Sequence, residues 1–314
     1  MAALLAACGT TASSVAPSTM LPAASGSPAS GSGIQFNFKT LDDPYDPDFN
    51  RLLDINNDGR IVGYSGAHTT VYESYLIYPP YAGKNYRTIA YPSAAWTIAA
   101  CLNDRRTVCG YCAPDKSGSI YGYVDARGIW VSYEDPHAKG SDGVTEILGL
   151  SDDSLAVGTY QTPSSNGAFE LTIGNGKFQD IGPKTGSNTV ATAINGHGDI
   201  VGYTTISGQT VGFLYKSSAG KYKEFSYPGA ASTEFLGITV DDRIVGFYTT
   251  KSGDKHGFIL THPLFGLAWE QIDDPDAAGT TVVTAINMHN AIVGYYVDGS
   301  GTNHGFLGTP ATAR

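Results

Sequence analysis

Three ionisable residues hold one position in a phrase that the chain repeats. Arg51, Glu146 and Glu234 each stand twelve residues before a recurring glycine, at Gly63, Gly158 and Gly246. Two carboxylates about 5 to 10 Å apart serve a glycosidase as acid and base or nucleophile. Glu146 and Glu234 fall two copies apart, so a closed ring would let them face one another across its channel. The stretch before Glu146 adds His137, Lys139 and Asp142. A polysaccharide lyase would use His137 as its base, with Arg51 or Lys139 neutralising a uronate. Corresponding stretches of other copies carry Asp46, Asp48, Trp96 and Asn188. Trp96 offers a face on which a sugar ring could stack. The candidate catalytic set is therefore Glu146, Glu234 and His137. The candidate ligand-binding set is Asp48, Arg51, Trp96, Asp142 and Asn188. A ring with 29 acidic residues also brings carboxylates together by chance. A binding or scaffold module is accordingly the first reading, and a glycan-directed enzyme the alternative.

What must position these residues is the repeat itself. Its glycine recurs at Gly63, Gly110, Gly158, Gly202, Gly246 and Gly294, at intervals of 47, 48, 44, 44 and 48 residues. The copy from Thr189 onward reads TVATAIN, IVGYTT, VGFLYK and YKEFSYPG, separated by Gly, Asn, Asp and Ser. Short apolar and β-branched runs between turn residues are strands joined as hairpins. None of the copies has a 3.6-residue stripe long enough for a helix. A four-stranded unit of this length cannot bury both faces alone, and radial stacking as a β-propeller solves that.

Other positions recur with the glycine. Thirteen residues before it stand Asn50, Thr97, Thr145, Thr189, Thr233 and Thr281. Nine before it stand Asp54, Cys101, Gly149, Ala193, Gly237 and Ala285. The four small residues among these predict an innermost strand whose backbone approaches its neighbours. The last strand carries one aromatic per copy: Phe38, Tyr86, Trp130, Phe178, Tyr222 and Trp269. Each is expected to pack between blades. A proline follows each and starts the connector to the next copy. These connectors are expected to ring the channel mouth.

The two ends are complementary. Phe36 to Pro44 matches a last strand, and the C-terminal copy lacks one. Joining them would remove an exposed sheet edge. The expected fold is all-β, a six-bladed β-propeller of four-stranded blades, its last blade closed by an N-terminal strand. The expected domains are a disordered lipoprotein-like leader and linker at 1–33, the propeller at 34–309 and a disordered tail at 310–314.

Composition limits the partners. The net charge of −10 and the lack of a basic stripe argue against nucleic acid. No Gly-rich loop opens a helix, no nucleophile elbow is present, and no cofactor or metal site is expected. The run Asp54 to Gly59 imitates the start of a calcium loop but has Ser65 at the twelfth position, so it reads as a hairpin turn. Nothing is long and apolar enough to cross a membrane. Leu5-Ala6-Ala7-Cys8 resembles a lipoprotein cleavage box, which would place a lipid anchor on Cys8. Cys101, Cys109 and Cys112 allow a disulfide from Cys101 to either of the others, which suits an oxidising compartment.

The phrases AINGHGDIVGYTT, GITVDDRIVGFYTTKSGDKHGFIL and AINMHNAIVGYYVDGSGTNHGFLG resemble the probable extracellular repeat family named for its His-Ala-Phe signature. The triplet stands here as His256-Gly257-Phe258 and His304-Gly305-Phe306, and the resemblance covers nearly all of the chain from Gln35 onward. It implies an exported repetitive β-protein, here read as a monomer, secreted or held as a bacterial lipoprotein, and implies no common reaction. The histidine position is Glu73, Tyr121, Gly167 and Val211 in the other copies. His256 and His304 are therefore expected to cap turns. The expected ligand is a polysaccharide or a protein at the channel mouth.

Overall fold

A computed structural model describes residues 34–66, 73–114, 118–140, 142–163, 166–264 and 266–311. The leader with Cys8 and the last three residues lie outside the described residues. The chain opens with β1 (Phe36–Thr40). The first repeat supplies β2 (Asn50–Ile55), β3 (Ile61–Ser65), β4 (Glu73–Ile77) and β5 (Tyr86–Ile89). The second supplies β6 (Trp96–Leu102), β7 (Thr107–Ala113), β8 (Tyr121–Ala126) and β9 (Ile129–Tyr133). The third supplies β10 (Val144–Leu150), β11 (Leu155–Gln161), β12 (Asn166–Thr172) and β13 (Lys177–Ile181). The fourth supplies β14 (Ser187–Ile194), β15 (Ile200–Ile206), β16 (Gln209–Lys216) and β17 (Lys221–Phe225). Then follow β18 (Ser232–Ile238), β19 (Ile244–Thr249), β20 (Lys255–Thr261) and β21 (Ala268–Ile272). The last three are β22 (Thr280–Ile286), β23 (Ile292–Val297) and β24 (Asn303–Pro310).

These strands form an all-β propeller with four-stranded blades, and β1 pairs with β24 from Phe36↔Pro310 to Thr40↔Phe306. The expectation of six separate blades is corrected. Hydrogen bonding gives five sheets, four of four strands and one of eight. The eight-stranded sheet joins β18–β21 to β22–β24 and β1 through a parallel bridge between Lys255 and Thr280. The cause is the connector after β21, which brings the Gly279 carbonyl within 2.9 Å of the Lys255 amide. β22 thereby begins against the start of β20.

One irregularity explains the repeated glycine. The first strand of every repeat carries a β-bulge, and the residue skipped by the ladder is Leu53, Ala100, Leu148, Thr192, Leu236 or Thr284. A bulge re-aims the extra side chain. Here all six converge on one small cavity at the axis. Beside the bulge, the recurring glycine lies against the carbonyl of the residue twelve positions earlier. A Cβ there would collide with the carbonyl of Arg51, Ile98, Glu146, Val190, Glu234 or Val282.

The small residues nine positions before the glycine serve close approach, as expected. A Cβ on Gly149 would stand 2.7 Å from Ala193 Cα, and one on Gly237 3.1 Å from Ala285 Cα. The recurring threonines latch the connectors. In four repeats the Oγ1 accepts from the amide before the proline: Tyr91 to Thr97, Asp135 to Thr145, Tyr227 to Thr233 and Asp274 to Thr281. Thr189 instead pairs with Thr204 Oγ1, and the Gly182 amide before Pro183 donates to the Tyr222 hydroxyl. Each last-strand aromatic meets an aromatic on the third strand of its own repeat. Trp269 meets Phe258 at 4.9 Å and Phe178 meets Phe169 at 4.9 Å. Such pairs sit in apolar clusters that draw on two neighbouring repeats, so the aromatics do fill the space between them. Cys101 and Cys109 oppose one another across β6 and β7 and form a disulfide, leaving Cys112 a buried free thiol.

Candidate functional site

The bulge ring divides the axis into two ends. The lower end is where each first strand turns into its second. A cavity of about 180 Å³ opens there. Its rim is built from one position repeated around the ring, seven before the glycine. Asn56 Nδ2 donates to the Asn103 carbonyl, Asn103 to Ser151, Asn195 to Thr239, and Asn287 back to Asn56, at 3.0 to 3.1 Å. Each asparagine Oδ1 also accepts an amide of its own turn, as from Arg60 or Ala291. The last repeat is thus tied to the first. Asp54 lies in this wall, accepting from the Leu102 and Ile55 amides, and burial lifts its pKa to about 6. Asp54 to Gly59 is a hairpin turn, closed by the Gly59 amide on the Asn56 carbonyl.

The upper end is where the first strands begin, and it is not regular. Position twelve before the glycine alternates between charged and apolar: Arg51, Ile98, Glu146, Val190, Glu234 and Val282. Directly across the ladder from Ile98, Val190 and Val282 stand Tyr111, Tyr203 and Tyr295. A tyrosine therefore falls between each pair of charged residues. The electrostatics follow that order. Burial raises the Tyr203 hydroxyl well above its usual pKa, and Glu234 and Glu146 from the two flanking repeats push it further. Tyr295 feels Arg51 on one side and Glu234 on the other. The Arg51 guanidinium lies 4.2 Å from the Tyr295 ring centre and 4.9 Å from that of Phe49. Its Nε and Nη2 donate to Asn303 Oδ1 at 3.3 and 3.2 Å.

The two glutamates differ. Glu146 is fully buried. Glu234 retains some exposure, and desolvation lifts its pKa to about 7, with Lys255 acting against that rise. Lys255 stands 5.0 Å from the Phe247 ring centre, opposite Glu234 in the ladder. Sequence reasoning placed Arg51, Glu146 and Glu234 together. It missed the three tyrosines and Lys255. The tyrosines were visible as the aromatic after the recurring glycine, but they read as ordinary strand residues.

The other candidates are spread out. Trp96 is half-buried and edge-on to Tyr111 at 6.1 Å, in a cluster that also holds Phe49, Val144 and Tyr203. It borders the tyrosine ring. His137 does not join it. Its Nδ1 is 2.9 Å from Asp135 and 3.6 Å from Asp180 on the outermost strand β13, and its ring stacks on Tyr160 at 4.8 Å. Asp48 and Asp142 are exposed on connectors. Asn188 is exposed and accepts from Asn166 Nδ2 at 2.8 Å. Asn50 is consumed by structure, its Oδ1 accepting from the Asp43 amide and the Tyr75 hydroxyl. His256 and His304 act mainly elsewhere than at turns, although His304 Nε2 also lies 3.5 Å from Asp298, whose carboxylate closes the turn before β24. Each stacks on a tyrosine, Tyr248 or Tyr296, and meets a connector carboxylate, Asp273 or Asp42, at 2.9 and 2.7 Å.

No protein-family model matches the chain, and no curated protein matches it. Among solved structures it is similar to the putative TolB of Agrobacterium tumefaciens, at 10% identity over 89% of this chain and 100% of that one, with a TM-score of 0.59. It is also similar to TolB of Acinetobacter baumannii, at 12% identity and a TM-score of 0.53, covering 85% of this chain and 66% of that chain. At such identities the likeness is one of fold.

Proposed function

We propose that the chain is an extracytoplasmic binding module that takes the end of a glycan into the upper mouth of its channel. The observation that carries this is the alternation of Arg51, Glu146 and Glu234 with Tyr111, Tyr203 and Tyr295, bordered by Trp96 and Phe49. Sugars are bound by aromatic faces together with a few fixed polar groups. Asp48 and Asp142, exposed on connectors, and Asn188, exposed at the start of β14, supply further contacts to a longer chain. The Cys101–Cys109 disulfide suits an oxidising compartment, and the resemblance to the His-Ala-Phe repeats supports export. An anchor at Cys8 and a monomeric state belong to the same reading. The test is a glycan array on the full chain, followed by calorimetry on each hit. Arg51→Ala and Trp96→Ala should each weaken binding by about tenfold or more. A protein ligand would show as silence on the array with capture of a defined protein that both substitutions abolish.

A second reading is favoured by one observation, the pKa near 7 of Glu234 beside a tyrosine that also faces Glu146. A carboxyl kept protonated near neutrality is what a glycosidase needs as its acid. Release of oligosaccharides detected by mass spectrometry, abolished in Glu234→Gln, would establish it. The lyase scheme is set aside, since the neighbours of His137 are Asp135, Asp180 and Tyr160.

A further inference from the structure

Four of the chain's eight arginines line one cavity of about 450 Å³ between the first and second repeats. They come from three kinds of segment at the lower end. Arg60 and Arg106 sit in the turns after β2 and β6, Arg87 on β5, and Arg127 in the turn between β8 and β9. The floor is aliphatic: Leu76, Ile89, Leu102 and Val108. Two carboxylates are near. Asp58 is exposed and shared, 4.0 Å from Arg60 and 3.6 Å from Arg106. Asp125 is buried and its Oδ1 accepts from the Gly128 amide at 2.5 Å. Among the described residues, Arg87 and Arg127 have no ion-pair partner.

The same slot elsewhere in the ring shows what is unusual. Between the fourth and fifth repeats, Asp199 stands where Arg60 does, three before the glycine. Asp242 stands where Arg106 does, four before the next glycine. Lys216 closes that slot with its Nζ 2.7 Å from Asp199 and 2.9 Å from Asp242. By strand register, Tyr78 takes the place of Lys216, and Arg87 that of Lys223. Lys223 donates to the Pro263 carbonyl at 2.8 Å. Between the fifth and sixth repeats, Arg243 donates to Asn290 and pairs with Asp241 at 2.8 Å. Those two slots satisfy their charges from within. The first one gathers four guanidinium groups against two carboxylates.

We propose that the cleft between the first and second repeats is a second binding site, for an anionic sugar carrying two or more oxyanion groups. Guanidinium forks match sulfate, carboxylate and phosphate oxygens in pairs. The aliphatic floor takes the C–H face of a ring. The volume fits a ligand of one to three rings. This site is separate from the upper mouth, and it stands in a chain whose net charge of −10 repels anions elsewhere.

The test is calorimetry on the full chain with three probes: a multiply sulfated disaccharide, a sugar bisphosphate and the uncharged parent disaccharide. One of the charged probes should bind, and more weakly as salt rises. The double variant Arg87→Ser/Arg127→Ser should weaken that binding by about tenfold or more, since each lost charge-assisted contact is a large share of such an affinity. Its melting temperature should be unchanged, because neither side chain has an ion-pair partner among the described residues. Arg106→Asp should also weaken binding, by giving Arg60 an internal partner as in the fourth slot. Arg51→Ala should leave it untouched, which separates this site from the upper mouth. Three outcomes overturn the proposal: no binding of either charged probe, equal binding of the uncharged one, or binding indifferent to the double variant.

Discussion

The two ends of the channel are built from the same six strands, yet they obey different rules. At the lower end asparagine recurs in four of the six repeats and plays the same part in each. Asn56, Asn103, Asn195 and Asn287 each bond their own turn and the next repeat. At the upper end the equivalent position changes character at every step, from Arg51 to Ile98 to Glu146. The ring cannot close without its lower end. Nothing in closure requires a charge at the upper end, and burying one is costly unless it is paired and hydrogen-bonded. The contrast therefore separates residues that hold the ring from residues that equip it.

The largest expected effect comes from the element both ends share. Gly246→Ala should destabilise the chain by about 4 kcal/mol, because its Cβ meets the Glu234 carbonyl at the bulge with no room to yield. Denaturant unfolding checks this. A loss below about 1 kcal/mol would mean that the bulge is soft and that the two ends are not rigidly joined.

Next comes the charge at the upper end. Glu234 has its pKa raised to about 7 in the fold, from the ordinary 4.5. The folded state therefore holds a proton that the unfolded state has released between those values, and stability falls as pH rises from 4.5 to 7. Glu234→Gln lacks that loss. It should match the parent chain at pH 4 and exceed it at pH 8 by up to about 3 kcal/mol. Equal stability at pH 8 would remove the idea of a charge held at a cost.

The lower end should respond to Asn287→Ala with a loss of about 2 kcal/mol, since that side chain links the last repeat to the first and also holds its own turn. The smallest effect is a gain. Ser151 and Thr239 interrupt the ring of amide links. Thr239→Asn should restore one, to the Asn287 carbonyl, and add about 0.5 to 1 kcal/mol by the same unfolding measurement.

The same contrast decides what was legible in the sequence. The glycine, the threonine that latches the connector and the small residue on the first strand all repeat, so periodicity exposed them, and each has a physical cause in the structure. Arg51, Glu146 and Glu234 stood out as candidates because they depart from a repeat already aligned. The bulge was hidden, since an extra residue present in every copy leaves no gap. The sharing of one sheet by β20 and β22 was hidden too, because it depends on where a single carbonyl, that of Gly279, comes to lie. Tyr203 matters only through Glu146 and Glu234 in other repeats, 57 and 31 positions away in the chain. The arginine cleft came from turns and an outer strand, where no pattern directed attention.

The seam between β1 and β24 has a mechanical side. Phe36 at the start of β1 pairs with Pro310 at the end of β24, so both ends of the folded chain leave from one corner. A pull that separates them loads the outermost pair of that ladder first and then each pair in turn. The seam yields like a zipper rather than in shear. A load carried between the last repeat and the second, by contrast, is shared by the consecutive amide links of Asn287, Asn56 and Asn103 at the lower rim.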